Sequence, residues 1–236
     1  MPLSSAPAPM RVTVLPVTPF GQNCSILACD ATGAAAIVDP GGDLDQIVAQ
    51  LQSQRLVPEK ILLTHGHLDH CAGAPELARR LSIPIEGPHE ADRFWIDGLP
   101  EAARQYGFAP AVAFVPDRWL GDGDTVRFGQ QTLQVLHCPG HTPGHVVFFH
   151  ASGRLAFVGD VLFAGSIGRT DFARGDHAAL LASIRGRLWP LGSDVRFIPG
   201  HGPDSTFGRE RRGNPFVGDS QFADALAGES AARGAP

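Results

Sequence analysis

The sequence predicts an α/β fold. Three observations carry that expectation. Short apolar, β-branched runs recur along the chain and end at turn residues. Stretches with helical period lie between them. Four of the runs stop at a residue able to ligate a metal, each beside a glycine.

Val12 to Val17 and Ser25 to Leu27 read as strands, as does 35–38, which stops at the turn Asp39-Pro40-Gly41-Gly42. Leu44, Ile47, Val48 and Leu51 then repeat at i, i+3, i+4, i+7, one face of a helix. Strand Ile61–Leu63 follows, and 74–81 is predicted as a short helix with Pro75 in its first turn. Residues 83–120 hold Phe94, Trp95, Ile96, Tyr106, Phe108, Phe114 and Trp119 without a clean period. They read as an excursion with a helix lying over something, or as a long connection with its own small cluster. Strand-like stretches return at 125–128, 132–136, 146–149 and 155–158. Asp176 is a plausible N-cap for a helix carrying Leu180, Leu181, Ile184 and Leu188, and 195–198 is a last strand. From Pro203 the chain turns polar. The expected organisation is a loose tail over 1–11, one domain over 12–205 and a short extension over 206–236, frayed from 226.

Chemistry gathers where the strands stop. Ile61–Leu63 runs into Thr64-His65-Gly66-His67-Leu68-Asp69-His70. The second run reaches Cys138-Pro139-Gly140-His141, the third Gly159-Asp160, the last Pro199-Gly200-His201-Gly202. Neutral imidazole and carboxylate are the usual nitrogen and oxygen ligands of zinc and similar cations. If the strand ends share one rim, five His and two Asp converge. That is too many for one tetrahedral zinc and suits two ions sharing a carboxylate. Two close cations lower the pKa of a water between them, which suits hydrolysis of an ester, thioester, amide or phosphoester.

Bulk composition narrows the field. The 236 residues are 43% hydrophobic and 18% charged, enough for a sizeable core. The net charge of -5, with no long basic block, argues against a nucleic-acid partner. No apolar run approaches a membrane span and no secretory signal is visible in residues 1–20. Cys24, Cys29, Cys71 and Cys138 form no CxxC pair, so a reduced, cytoplasmic setting is expected.

The HxHxDH motif, the Pro-Gly-His turn, the Gly-Asp after a strand and the late Gly-His together resemble the metallo-β-lactamase superfamily over roughly residues 12–205. The resemblance implies a four-layer αββα sandwich with a two-metal site on one edge. It implies that His65, His67 and His141 bind the first metal, that Asp69, His70 and His201 bind the second, and that Asp160 bridges. Zinc is the default ion; iron and manganese fit the same donors. Residues 138–145 and 159–163 are similar to motifs of glyoxalase II, the hydroxyacylglutathione hydrolases. Gly165-Ser166-Ile167-Gly168-Arg169-Thr170-Asp171-Phe172 and the ending 202–210 resemble a short bacterial branch. The longer glyoxalases II carry a C-terminal helical domain, and only about 34 residues follow Gly202 here. The implied reaction is hydrolysis of an acyl-glutathione such as S-D-lactoylglutathione, with Asp69 and Asp160 holding the metals and orienting the nucleophile. The first alternative is a persulfide dioxygenase with one iron on His65 (or His67), His141 and Asp160. The second is a non-enzymatic metal-binding protein. Oligomeric state is not legible.

Arg169 resembles, by position, a basic residue that contacts glutathione in the longer enzymes; the alternative is an ion pair with Asp171 or Asp176. Asp39 stands where it can orient a ligand His. His145 reads as support or packing rather than a ligand.

Overall fold

The computed structural model describes residues 9–220. The expected fraying from 226 lies outside them. Two sheets form the centre. The first has the order β1 (Met10–Val17), β2 (Gln22–Cys29), β3 (Ala34–Val38), β4 (Val57–Leu62), β5 (Ile85–Glu86). The second runs β13 (Ser205–Thr206), β12 (Arg196–Pro199), β9 (Leu155–Gly159), β8 (Val146–His150), β7 (Gln131–His137), β6 (Thr125–Phe128).

Strand alternation sorts the apolar residues into three layers of core. Ala36 and Val38 of β3 face Val146, Phe148 and Phe157 of the second sheet. Their neighbours Ala35 and Ile37 face outward and meet α1 (Leu44–Ser53), α3 (Ala74–Leu81) and two helices of the 83–120 excursion, α4 (Arg93–Asp97) and α5 (Leu99–Tyr106). On the far side, Val147, Phe149 and Val158 pack under Leu180 of α6 (His177–Ser183) and Phe207 of α7 (Phe207–Gly213). Three apolar layers between four layers of structure are the αββα sandwich.

The directions of the strands position the site. β3, β4 and β5 are mutually parallel, as are β9 and β12. β7 and β9 are each antiparallel to β8, so they too run the same way. The carboxyl ends of β3, β4, β7, β9 and β12 therefore deliver Asp39, the His65–His70 loop, His141, Asp160 and His201. Backbone bonds close the two sheets together there: Asn23 N–H donates to Gly200 O at 2.7 Å and Val146 N–H to Thr64 O at 2.8 Å.

Several elements differ from expectation. β1 begins at Met10, inside the stretch read as tail, and β4 begins at Val57, because Pro58, Glu59 and Lys60 alternate with its buried end. Leu68–Cys71 forms one helical turn, α2, which carries Asp69 and His70. Asp176 Oδ1 does accept from Ala179 N–H at 2.9 Å, but after Ser183 the helix widens to a π turn over Ile184–Leu188. A hairpin absent from the sequence reading, β10 (Leu162–Phe163) with β11 (Ser166–Ile167), follows Asp160. The polar stretch after Pro203 supplies β13 and α7, with Phe207 stacked on Phe197 at 5.5 Å.

Phe207 is almost wholly buried whereas Phe216 is half exposed. Phe207→Ala is expected to lower stability by about 3–5 kcal/mol, and Phe216→Ala by no more than about 0.5 kcal/mol. Urea denaturation of the two variants measures whether α7 belongs to the folded core.

Candidate metal centre

Among the described residues three groups of three ligand-type residues meet at the rim: His65, His67 and His141 first, Asp69, His70 and His201 second, and Asp39 with His65 and His70 behind them. In the first, His67 Nδ1 lies 3.1 Å from His65 Nε2 and 3.0 Å from His141 Nε2. In the second, His201 Nε2 lies 3.1 Å from Asp69 Oδ2, and His70 Nε2 lies 3.8 Å from the same oxygen. Asp160 stands between, Oδ2 at 3.6 Å from His141 Nε2 and Oδ1 at 3.3 Å from His70 Nε2. All seven residues named from the sequence converge.

Outer hydrogen bonds fix which ring nitrogen looks inward. Thr64 Oγ1 donates its single proton to Asp39 Oδ2 at 2.6 Å, so it must accept from His65 Nδ1 at 3.0 Å. His70 Nδ1 donates to Asp39 Oδ2 at 2.9 Å, and His141 Nδ1 to the carbonyl of Arg169 at 2.7 Å. Each of these rings therefore turns its Nε2 to the centre; that of His65 and of His141 is bare, whereas burial at His70 is outweighed by Asp160 and Asp69, which hold its pKa well above the usual histidine range. Asp39 holds the left-handed φ of 51°, a conformation an Asp adopts at some cost, and its Oδ1 accepts from Thr64 N–H at 2.7 Å. His145 is support, not part of these groups: it stacks on His65 at 4.7 Å, and its Nε2 accepts from Asp160 N–H at 3.0 Å.

Burial, reinforced by neighbouring imidazoles, holds His65 well below the usual histidine range and His67 at about 3. Burial likewise lowers His141. These rings are neutral at pH 7, the form that ligates. Burial alone would raise the Asp160 carboxyl, but His70 above all, and His201, pull it below the carboxylate range.

Residues 17–201 match the metallo-beta-lactamase superfamily. The chain belongs to that superfamily. Hydroxyacylglutathione hydrolase GloC of Haemophilus influenzae is 44% identical over 209 residues, covering 88% of this chain and 98% of its own. The crystal structure of BLEG-1 B3 metallo-beta-lactamase is 37% identical with a TM-score of 0.81, over 88% of this chain and 99% of that one. TTHA1623, solved in a di-iron-bound form, is 38% identical with a TM-score of 0.79, over 87% of this chain and 100% of its own.

The metallo-β-lactamase fold implies two divalent cations, and the side chains here fit them. His70 Nε2 and Asp160 Oδ1, which face each other at the centre, are buried without a hydrogen-bond partner. Bare imidazole lone pairs about 3 Å apart repel unless a cation takes them. Gly200 keeps the space open: a Cβ there would lie 2.1 Å from Asp160 Oδ1 and 2.6 Å from His70 Cε1.

Arg169 lines the same cleft, but its guanidinium is held by Asp171 through two 2.6 Å bonds, the ion-pair alternative weighed from the sequence. It also lies 4.3 Å over the Phe172 ring.

Sequence reasoning missed Asp92. Its carboxylate accepts from Gly66 N–H at 2.9 Å, Thr142 Oγ1 at 2.7 Å and Gly144 N–H at 2.6 Å. It thereby ties the His65–His70 loop to the His141 turn. Burial pushes its carboxyl up to about 6, against those three donors, so it is ionised at neutral pH. Nothing in the aperiodic 83–120 stretch marks one Asp among its polar residues.

Asp92→Ala leaves three buried donors unpaired, each costing roughly 1–3 kcal/mol. Asp92→Asn keeps one accepting oxygen and is expected to lose distinctly less. Urea denaturation should rank the chains wild type, Asn, Ala; an Ala variant as stable as wild type would remove Asp92 from this role.

Proposed function

We propose that the chain is a two-metal thioesterase of glyoxalase II type, hydrolysing an acyl-glutathione to a carboxylic acid and glutathione. The observation that carries the metal chemistry is the double cluster with Asp160 between its halves, opening on a cleft of about 760 Å³. A structural zinc is closed by four ligands; here the ligands open to a substrate-sized space. The named Haemophilus relative points to thioesters.

His65, His67 and His141 would hold one cation, and Asp69, His70 and His201 the other, with Asp160 shared. When bound, two such cations lower the pKa of a water at the site and offset the negative charge that builds on the carbonyl oxygen. The chain supplies the rest. Asp39, the Thr64 hydroxyl and the Arg169 carbonyl keep three imidazoles in the ligating tautomer. Asp69 and Asp160 present carboxylate oxygens that would orient the attacking water and take its proton. Zinc remains the default ion and the cytoplasm the setting. Among the described residues no helix is long and apolar enough to cross a membrane, and the four cysteines are free and buried. The persulfide dioxygenase reading needs only one iron, and would leave Asp69, His70 and His201 a convergent group with no role.

The test is turnover of S-D-lactoylglutathione by protein of measured metal content. Oxygen uptake with glutathione persulfide and opening of a chromogenic cephalosporin, the substrate class suggested by the lactamase relative, are the controls. Activity in either control without thioester turnover would overturn the proposal. Asp160→Asn is expected to lower metal content and to reduce turnover by at least about a hundredfold, since a neutral amide bridges two cations poorly. His201→Ala should still load the three-histidine group, giving about one metal per chain by elemental analysis. Loss of all metal from a folded His201→Ala chain would show the partition to be wrong.

A further inference from the structure

The cleft above the two ligand groups has an apolar wall. Trp95, Leu99, Ala102 and Tyr106 all line it, spaced i, i+4, i+7, i+11 along α4 and α5. That spacing sets four side chains along one helical face. The wall reaches the ligands, because the Trp95 ring meets the His67 ring edge-on at 4.5 Å. Phe172 meets His67 at 5.0 Å from another direction, and Phe163 of the hairpin approaches His201 at 6.4 Å. The acyl substituent of a thioester is bonded directly to the reacting carbonyl carbon, so it lies within reach of these rings, and of the two sides of the thioester it is the one without charges.

Charge recognition is weak by comparison. Arg169 is the one guanidinium or ammonium lining the cleft among the described residues, and Asp171 already engages it on two nitrogens. A thiol bearing carboxylates would have to compete for it. A lactoyl group offers this wall one methyl and one hydroxyl.

We propose that Trp95, Leu99, Ala102 and Tyr106 form an acyl subsite, and that the preferred substrates are thioesters whose acyl carbon carries an aromatic or bulky apolar substituent. The inference rests on the thioesterase reading and deepens it. The reaction is unchanged: water adds to the acyl carbon, the C–S bond breaks, the sulfur leaves as thiol with one proton of the water, and the acid is released as carboxylate with the other proton passed to solvent. Selection comes from apolar surface removed from water in binding and in the transition state; against a wall open to solvent at Tyr106, a phenyl ring in place of a methyl is worth about tenfold in kcat/KM.

The test compares S-D-mandeloylglutathione with S-D-lactoylglutathione on the metal-loaded full chain. The two share thiol, hydroxyl and stereochemistry and differ by phenyl for methyl. The expected ratio of kcat/KM favours the mandeloyl ester by about tenfold. Ala102→Asp sets a carboxylate in the wall and should bring that ratio to about one; Tyr106→Ser, at a half-exposed position that tolerates change, should lower it part of the way. A wild-type ratio at or below one overturns the subsite, as does a ratio unmoved in both folded variants. Turnover of the lactoyl ester alone sinks only this inference, whereas turnover of neither sinks the thioesterase reading and the subsite with it.

Discussion

Three imidazole nitrogens drawn to within about 3 Å, two of them with no proton to offer, are the constraint on which the rest of the structure depends. Such a group does not form by itself. Each ring loses its water, and the lone pairs oppose one another. The fold holds it by fixing the opposite nitrogen of His65 and of His141 to something stiffer, while Trp95 and Phe172 pack on the His67 ring. Asp39 grips His70 and, through Thr64, sets His65; the Arg169 carbonyl sets His141. The strain at Asp39 belongs to the same account, since a left-handed residue at the end of β3 turns its carboxylate back under the His65–His70 loop.

Parallel strands make this possible in both sheets at once. Their carboxyl ends point to one rim, where backbone can leave the ladder and present side chains. Antiparallel pairing alone would have sent Asp160 and His201 to opposite edges of the second sheet. Because β9 and β12 run the same way, one sheet supplies Asp160 and His201 together, and β4 brings four more ligand-type residues from the other.

This logic explains what was legible in the sequence. A ligand that follows its strand by one to eight residues, as all seven do, is a local signal, and all seven could be read. So could the helices with a full apolar face. What failed to show depends on contacts distant along the chain. Asp92 acts on residues 26 to 52 positions away. The stripe Trp95, Leu99, Ala102, Tyr106 was hidden because Gly98 and Pro100 break the appearance of a helix, although the backbone continues through Gly98 in helical conformation. Helix α7 reads as charged because its buried positions are Phe207, Gly208 and Glu210, only one of them a large apolar residue. For Arg169, sequence spacing allowed either a carboxylate of the substrate or the one two residues on, and the geometry engages the second.

Glu210 shows how far from the rim the site's architecture extends. It is nearly inaccessible, and its carboxylate accepts from Gly165 N–H at 2.7 Å, Asn214 Nδ2 at 3.0 Å and the Ser205 hydroxyl at 2.5 Å. Asn214 in turn donates to Ser166 O at 3.0 Å. Gly165 lies in the turn of the β10–β11 hairpin and Ser166 begins β11, and the hairpin's Phe163 and Ile167 line the cleft. A buried carboxylate with several donors is costly to disrupt, because losing it strands every donor. Helix α7 therefore fixes one wall of the cleft, as α4 and α5 fix the other. The chain closes a substrate-sized space between these walls with elements packed on the same sandwich.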